Sequence, residues 1–145
     1  MKILFLGDTD STLSQMAKAM LRRMNPNLHI FSAGVRPGAG IHPFTHKVML
    51  ELGLPLSELQ TKSIERLKGH EFDFVITFSN LSWECKTPKL TKTGQVKQIN
   101  LSEPAEPGRG LTHQLARFRQ ARSCLVDFVT NFYFADLGPA YRKRV

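Results

Sequence analysis

The chain predicts an α/β fold, a three-layer α/β/α sandwich around a four-stranded parallel sheet, in one domain covering residues 1–145. Short apolar runs alternate with stretches of helical periodicity. The runs are nearly continuous rather than alternating, as in strands buried on both faces. No repeat, low-complexity tract or linker interrupts the 145 residues, a length that suits a single core.

KILFL (residues 2–6) is a short apolar run ended by Gly7, and predicts the first strand. A helix follows a polar turn. Ser14 is placed to cap it, and Met16, Ala17, Met20, Leu21 and Met24 share one face before NPN breaks the pattern. LHIFSAG (28–34) predicts a second strand, stopped by GVRPGAG, and a second helix is expected over 43–52 with Gly53 at its end. His42, before Pro43, suits a capping role. TKSIERL (61–67) predicts a short capped helix, FDFVITF (72–78) the strongest strand, and VKQINL (96–101) the last strand, after a polar, Lys-rich loop over 87–94. From Leu111 to about Phe134, apolar residues at 115, 118, 121, 125, 128, 129 and 132 predict a long closing helix, with Cys124 assigned to its buried stripe.

Twenty Lys and Arg against twelve Asp and Glu give a formal charge of +8. The basic residues lie in a loop and a terminal tail without interleaved aromatics, so they read as a solvated face and not as a nucleic-acid surface. No apolar run approaches the roughly 18 residues of a membrane span. Two cysteines, Cys85 and Cys124, are too few for a disulfide framework, and no leader-like segment opens the chain, which together predict a cytoplasmic setting.

In such sheets the ligand site lies at the carboxyl ends of the strands. The turn after the first strand, Gly7, Asp8, Thr9, Asp10, Ser11, Thr12, Leu13 and Ser14, is therefore the candidate binding segment, joined there by the segments after Phe78 and Leu101. A strand–turn–helix of this kind ordinarily holds a phosphate. This one carries two aspartates and no cation.

SQMAKAMLRR, IFSAGVRPGAGIHPFTHKVMLELGL, TKSIERL, FDFVITF and the acidic-Pro pair in EPA together resemble the low-molecular-weight protein tyrosine phosphatases and the related thioredoxin-coupled arsenate reductases, over residues 1–128. The resemblance implies a low-molecular-weight phosphatase-like fold and a loop of Cys, five residues, Arg and Ser. Those places hold Gly7, Leu13 and Ser14. The frame is kept, but glycine supplies no nucleophile and leucine no guanidinium for the equatorial oxygens. The family's general acid, an Asp before Pro, falls on Glu103 before Pro104. Of the reductases' two further cysteines, Ser79 stands at the first place and Cys85 near the second; without an attacking thiol at position 7 no disulfide relay can begin. The resemblance therefore implies a catalytically degenerate member, a binding or regulatory pseudophosphatase needing no cofactor, with a protein partner at the altered cleft and Trp83 beside it.

Three roles for the acidic residues stay open. Asp8 and Asp10, with Ser11, Thr12 and Ser14, could satisfy the N–H groups that a phosphate would otherwise take, so that the turn plugs itself. LFLGDTDSTL also resembles the nucleophile motif of haloacid-dehalogenase-type phosphohydrolases. That resemblance implies a Mg²⁺-dependent phosphohydrolase with Asp8 as nucleophile, Asp10 as acid and base, both near the metal, and Thr77 or Ser79 with Lys86 or Lys89 in support. Finally, Asp8, Asp10 and Glu103 could converge to hold Mg²⁺, Ca²⁺ or a partner's Lys or Arg.

Overall fold

A computed structural model describes residues 1–38, 40–56, 60–78, 92–106 and 108–140. Strands β1 (Lys2–Gly7), β2 (His29–Gly34), β3 (Glu71–Phe78) and β4 (Lys92–Ile99) pair in parallel in the order β2-β1-β3-β4. Successive side chains of a strand face opposite ways, and β1 is apolar on both sides because both sides are covered. Ile3 and Phe5 enter one hydrophobic cluster, Leu4 and Leu6 another.

The larger cluster lies under three helices, α1 (Leu13–Met24), α2 (Pro43–Glu51) and α3 (Leu111–Asn131), the last continuing into a π-helical turn, Phe132–Leu137. Met16, Ala17, Met20 and Leu21 of α1 meet Phe118, Ala121, Leu125 and Val129 of α3 over Phe74 and Ile76. Glu51 joins α2 to α3, accepting a bidentate pair from Arg119 and a further bond from Arg122, whose guanidinium also donates to the Val48 carbonyl. On the other face, Ile64 and Leu67 of a 3₁₀ turn (Ile64–Leu67) cover Leu4, Leu6 and Val75. Ser63 caps this turn by accepting from the Glu65 N–H, and His42 Nδ1 caps α2 by accepting from the Phe44 N–H. The α/β architecture with a four-stranded parallel sheet is thus the one the alternating pattern predicts.

Three local expectations need correction. β4 begins at Lys92, inside the predicted loop, and ends at Ile99 instead of 101. It pairs along the whole of β3, and satisfying those backbone groups outweighs the polar character of KTGQ. Ser14 does not cap α1: the N-cap is Thr12, without a side-chain cap bond, and the Ser14 hydroxyl is turned to Asp10. Cys124 is exposed, because the buried stripe of α3 runs through 121 and 125 and leaves position 124 on its solvent flank. Among the described residues no helix is long and apolar enough to cross a membrane.

Candidate functional site

Adjacent parallel strands end together at Gly7 and Gly34, which face each other in register. Between Gly7 and the first residue of α1, Leu13, the loop is pinned from outside. The carbonyls of Gly7, Asp8, Thr9 and Ser11 accept from the N–H groups of Val35, Arg36, Gly38 and His42 at 2.7–3.2 Å. A trans peptide sets N–H opposite C=O, so the loop's own N–H groups turn away from that segment, as an anion cradle requires. The close approach depends on Gly34: a Cβ there would lie 2.7 Å from the Thr9 carbonyl carbon and 2.8 Å from the Asp10 nitrogen. Asp10 has φ 58°, a left-handed conformation that aspartate tolerates better than most residues.

The three carboxylates around this loop go to three different places. Asp10 is buried beneath it and accepts from Ser14 Oγ at 2.7 Å, Gln15 Nε2 at 3.1 Å and the Lys62 N–H at 2.9 Å. Burial raises its pKa, against the pull of the Ser14 and Lys62 donors and of the Lys18 charge. Asp8 turns outward into a bidentate pair with Arg36, Oδ1 to Nε at 3.1 Å and Oδ2 to Nη2 at 2.8 Å, which holds the Arg36 pKa above its ordinary value. Glu103 turns inward. Its carboxyl lies close enough to the N–H of Leu13, the first residue of α1, for that group to lower its pKa, and Oε1 lies 3.8 Å from where a Cβ on Gly7 would stand. Burial first, and then the charge of Asp8, push its pKa up to about 7, against the Leu13 N–H; Asp10 adds to the rise. The corner behind it is held by α3, whose Arg117 Nε donates to the Pro104 carbonyl at 3.1 Å.

A Cβ on Gly7 would meet Ser14 Oγ at 3.4 Å and its Cβ at 3.7 Å, both ordinary contacts, so a side chain is absent there by choice of residue and not for want of space. Leu13 is fully buried in the main cluster with Met16 and Ala17, its side chain part of the core. Thr9 and Ser11 share a hydrogen bond at 2.5 Å, and Thr45 Oγ1 donates to the Ser11 carbonyl.

A loop of this shape between the first strand and first helix of a parallel sheet has a counterpart among known proteins. The description low molecular weight phosphotyrosine protein phosphatase matches residues 2–106. The chain belongs to that family. Among solved structures, an arsenate reductase in its phosphate-binding state superposes with a TM-score of 0.73 at 21% identity, over 90% of this chain and 95% of the other. The arsenate reductase of Archaeoglobus fulgidus gives 0.66 at 20%, over 88% and 98%, and the Erwinia amylovora tyrosine phosphatase AmsI 0.65 at 17%, over 92% and 91%. At such identities these likenesses concern the fold. Comparison with curated proteins gives no match.

Within this phosphatase-family fold the predicted site residues are gathered but differently employed. Asp8 and Asp10 do not satisfy the turn's N–H groups as the self-plugging reading expects. Arg36 claims the first, and a buried ring of donors claims the second. Asp8, Asp10 and Glu103 do share one neighbourhood, since each aspartate raises the Glu103 pKa, yet among the described residues no group of three His, Cys, Asp or Glu is arranged to hold a metal ion. Thr77 is buried at the end of β3, with its hydroxyl directed to the Lys97 carbonyl at 3.5 Å. Ser79, Trp83, Cys85, Lys86 and Lys89 lie outside the described residues. Arg36, Gln15 and Lys62 were not singled out from sequence. Only Arg36 left a signal, a lone cation just past the end of the strand that pairs with β1.

Proposed function

We propose that this member of the low-molecular-weight phosphatase family is a pseudophosphatase of the cytoplasm, acting by binding a protein partner at its altered cleft and not by turnover. The observation that carries this reading is Glu103, whose carboxyl oxygen stands 3.8 Å from where a Cβ at position 7 would be, so that a buried carboxyl lies where the family's nucleophile would act. Two further features support it. Leu13 is committed to the core, so no cation reaches the cradle from that position, and Asp8 is engaged by a guanidinium that competes with any metal or phosphorus for its lone pairs.

The reading is tested with an aryl phosphate, in EDTA and in millimolar Mg²⁺, alongside thermal melts in inorganic phosphate. The expected result is no turnover above buffer in either condition and no stabilisation by phosphate, because a ligand must bind the folded state to raise its Tm. Turnover in EDTA would refute it outright. Mg²⁺-dependent turnover lost in Asp8→Asn would replace it by aspartyl phosphohydrolysis.

A further inference from the structure

On the outer edge of α1, away from the loop's mouth, the helix and residues 54–56 enclose an open groove of about 230 Å³. It is lined by the mostly buried Lys18 and the exposed Arg22 and Arg23 together with Leu54 and Leu56; among the described residues no carboxylate lines it. Gln15 closes the inner end. Arg23 is fixed on the rim by a bond from Nη1 to the Gly53 carbonyl at 3.2 Å, which uses one of its five donors and leaves the fork available. Arg22 and Arg23 in the last turn complement the helix dipole. That role does not account for the aliphatic side chains of Leu54 and Leu56 that line the same groove.

The size of the groove decides between classes of occupant. Pockets that enclose a drug-sized ligand or cofactor run to roughly 300–1,000 Å³. This groove is smaller and open along its length, which suits two or three side chains of a peptide passing over it. Its charge decides the sign, since a cationic lining on a chain of net charge +8 selects an anionic partner.

We propose that this groove is a docking site for an acidic segment of a protein partner, with a carboxylate on the Arg22–Arg23 fork and an aliphatic side chain against Leu54 and Leu56. The site is separate from the cleft proposed above and stands or falls without it. It lies one residue from that cleft, because Gln15, at its inner end, is also a donor to Asp10.

The test is fluorescence anisotropy of the full chain with a labelled ten-residue peptide of alternating Glu and Leu, at about 0.15 M salt, where only charges closer than about 8 Å act strongly. Reversing Arg22 and Arg23, both exposed, to Glu should weaken binding at least about tenfold. The same charge change at exposed Arg66 and Lys68, on the 3₁₀ turn and just after it, should weaken it by less than about threefold. A peptide with Ser for Leu should bind several-fold less tightly. Equal losses in the two double variants, indifference to Leu→Ser, displacement by equimolar inorganic phosphate, or no binding to the wild-type chain would each overturn the proposal. Circular-dichroism melts check that each variant folds. Should the double reversal unfold, Arg22→Gln with Arg23→Gln carries the same expectation at lower amplitude.

Discussion

Replacing Glu103 by Gln should remove a fall in stability between pH 5 and 8. In the folded protein burial and Asp8 raise the Glu103 pKa from 4.5 to about 7. A carboxyl whose folded pKa lies above its unfolded one holds its proton more tightly when folded. Between about 4.5 and 7 the native state therefore binds more protons than the unfolded chain, and stability declines as pH rises. The cost is absent below 4.5 and complete above 7. At 1.36 kcal/mol per unit it reaches about 3 kcal/mol, equivalent for a chain of this length to roughly 6–12 °C in Tm. Glutamine preserves the shape of the side chain, so the variant removes the charge with little change in packing.

Urea unfolding of both proteins, followed by far-ultraviolet circular dichroism from pH 5 to 8, measures the difference directly. The variant should match the wild type near pH 5 and exceed it progressively toward pH 8. The raised Asp10 pKa acts in the same direction but is common to both proteins, so it largely cancels from the difference. Parallel pH profiles would show that Glu103 is not enclosed by the loop. A wild type that gains on the variant as pH rises would mean that the carboxylate is paired with a cation, and the closed-cradle geometry would be wrong.

The two facing glycines should respond oppositely to an added methyl. Gly7→Ala should change stability by under about 1 kcal/mol, since its new contacts are ordinary, whereas Gly34→Ala should cost about 2–3 kcal/mol by driving into the backbone of Thr9 and Asp10; both are read as urea midpoints. Asp10→Ala should cost about 3–5 kcal/mol by stranding the Ser14, Gln15 and Lys62 donors, while Asp8→Asn, at the surface, should leave Tm within about 2 °C. In a Cys85→Ser background, Cys124 should react fully with a thiol reagent in the absence of denaturant. Gly7→Cys should fold and yet fail to hydrolyse an aryl phosphate, because the neighbouring carboxylates hold the thiol in its protonated form and Leu13 supplies no charge.

The scaffold was legible because its signals are hydrophobic and periodic. KILFL, FDFVITF and positions 118, 121, 125, 129 and 132 of the closing helix bury what their patterns predict, while Cys124 falls outside the buried stripe. β4 was half missed because an edge strand with Lys, Thr and Gln owes its place to backbone pairing, which leaves no apolar trace. Within the site, the absence of Cys and Arg at positions 7 and 13 could be read directly. The direction each carboxylate takes could not. Asp8 and Asp10 are one residue apart from a common neighbour, yet the left-handed turn at Asp10 sends one carboxylate beneath the loop and leaves the other at the rim. Spacing cannot show that, nor that Glu103, 90 positions beyond Leu13, comes close to the first turn of α1.

A loop of this shape lacking a cation must still limit the repulsion among its carboxylates. Here three arrangements share that task. Ser14, Gln15 and the Lys62 N–H donate to Asp10 beneath the loop, Arg36 pairs with Asp8 at the rim, and Glu103, its pKa raised to about 7, stands beside position 7. These arrangements depend on one another. Releasing Arg36 would leave Asp8 to raise the Glu103 pKa further, and an ionised Glu103 would disfavour any anion that approached. If the proposed reading holds, phosphatase chemistry at this loop would require a new nucleophile, a cation in place of a core leucine, and the removal of the internal carboxyl together. On the proposed reading the loop is a set of mutually dependent carboxylate contacts and not an active site with two residues missing.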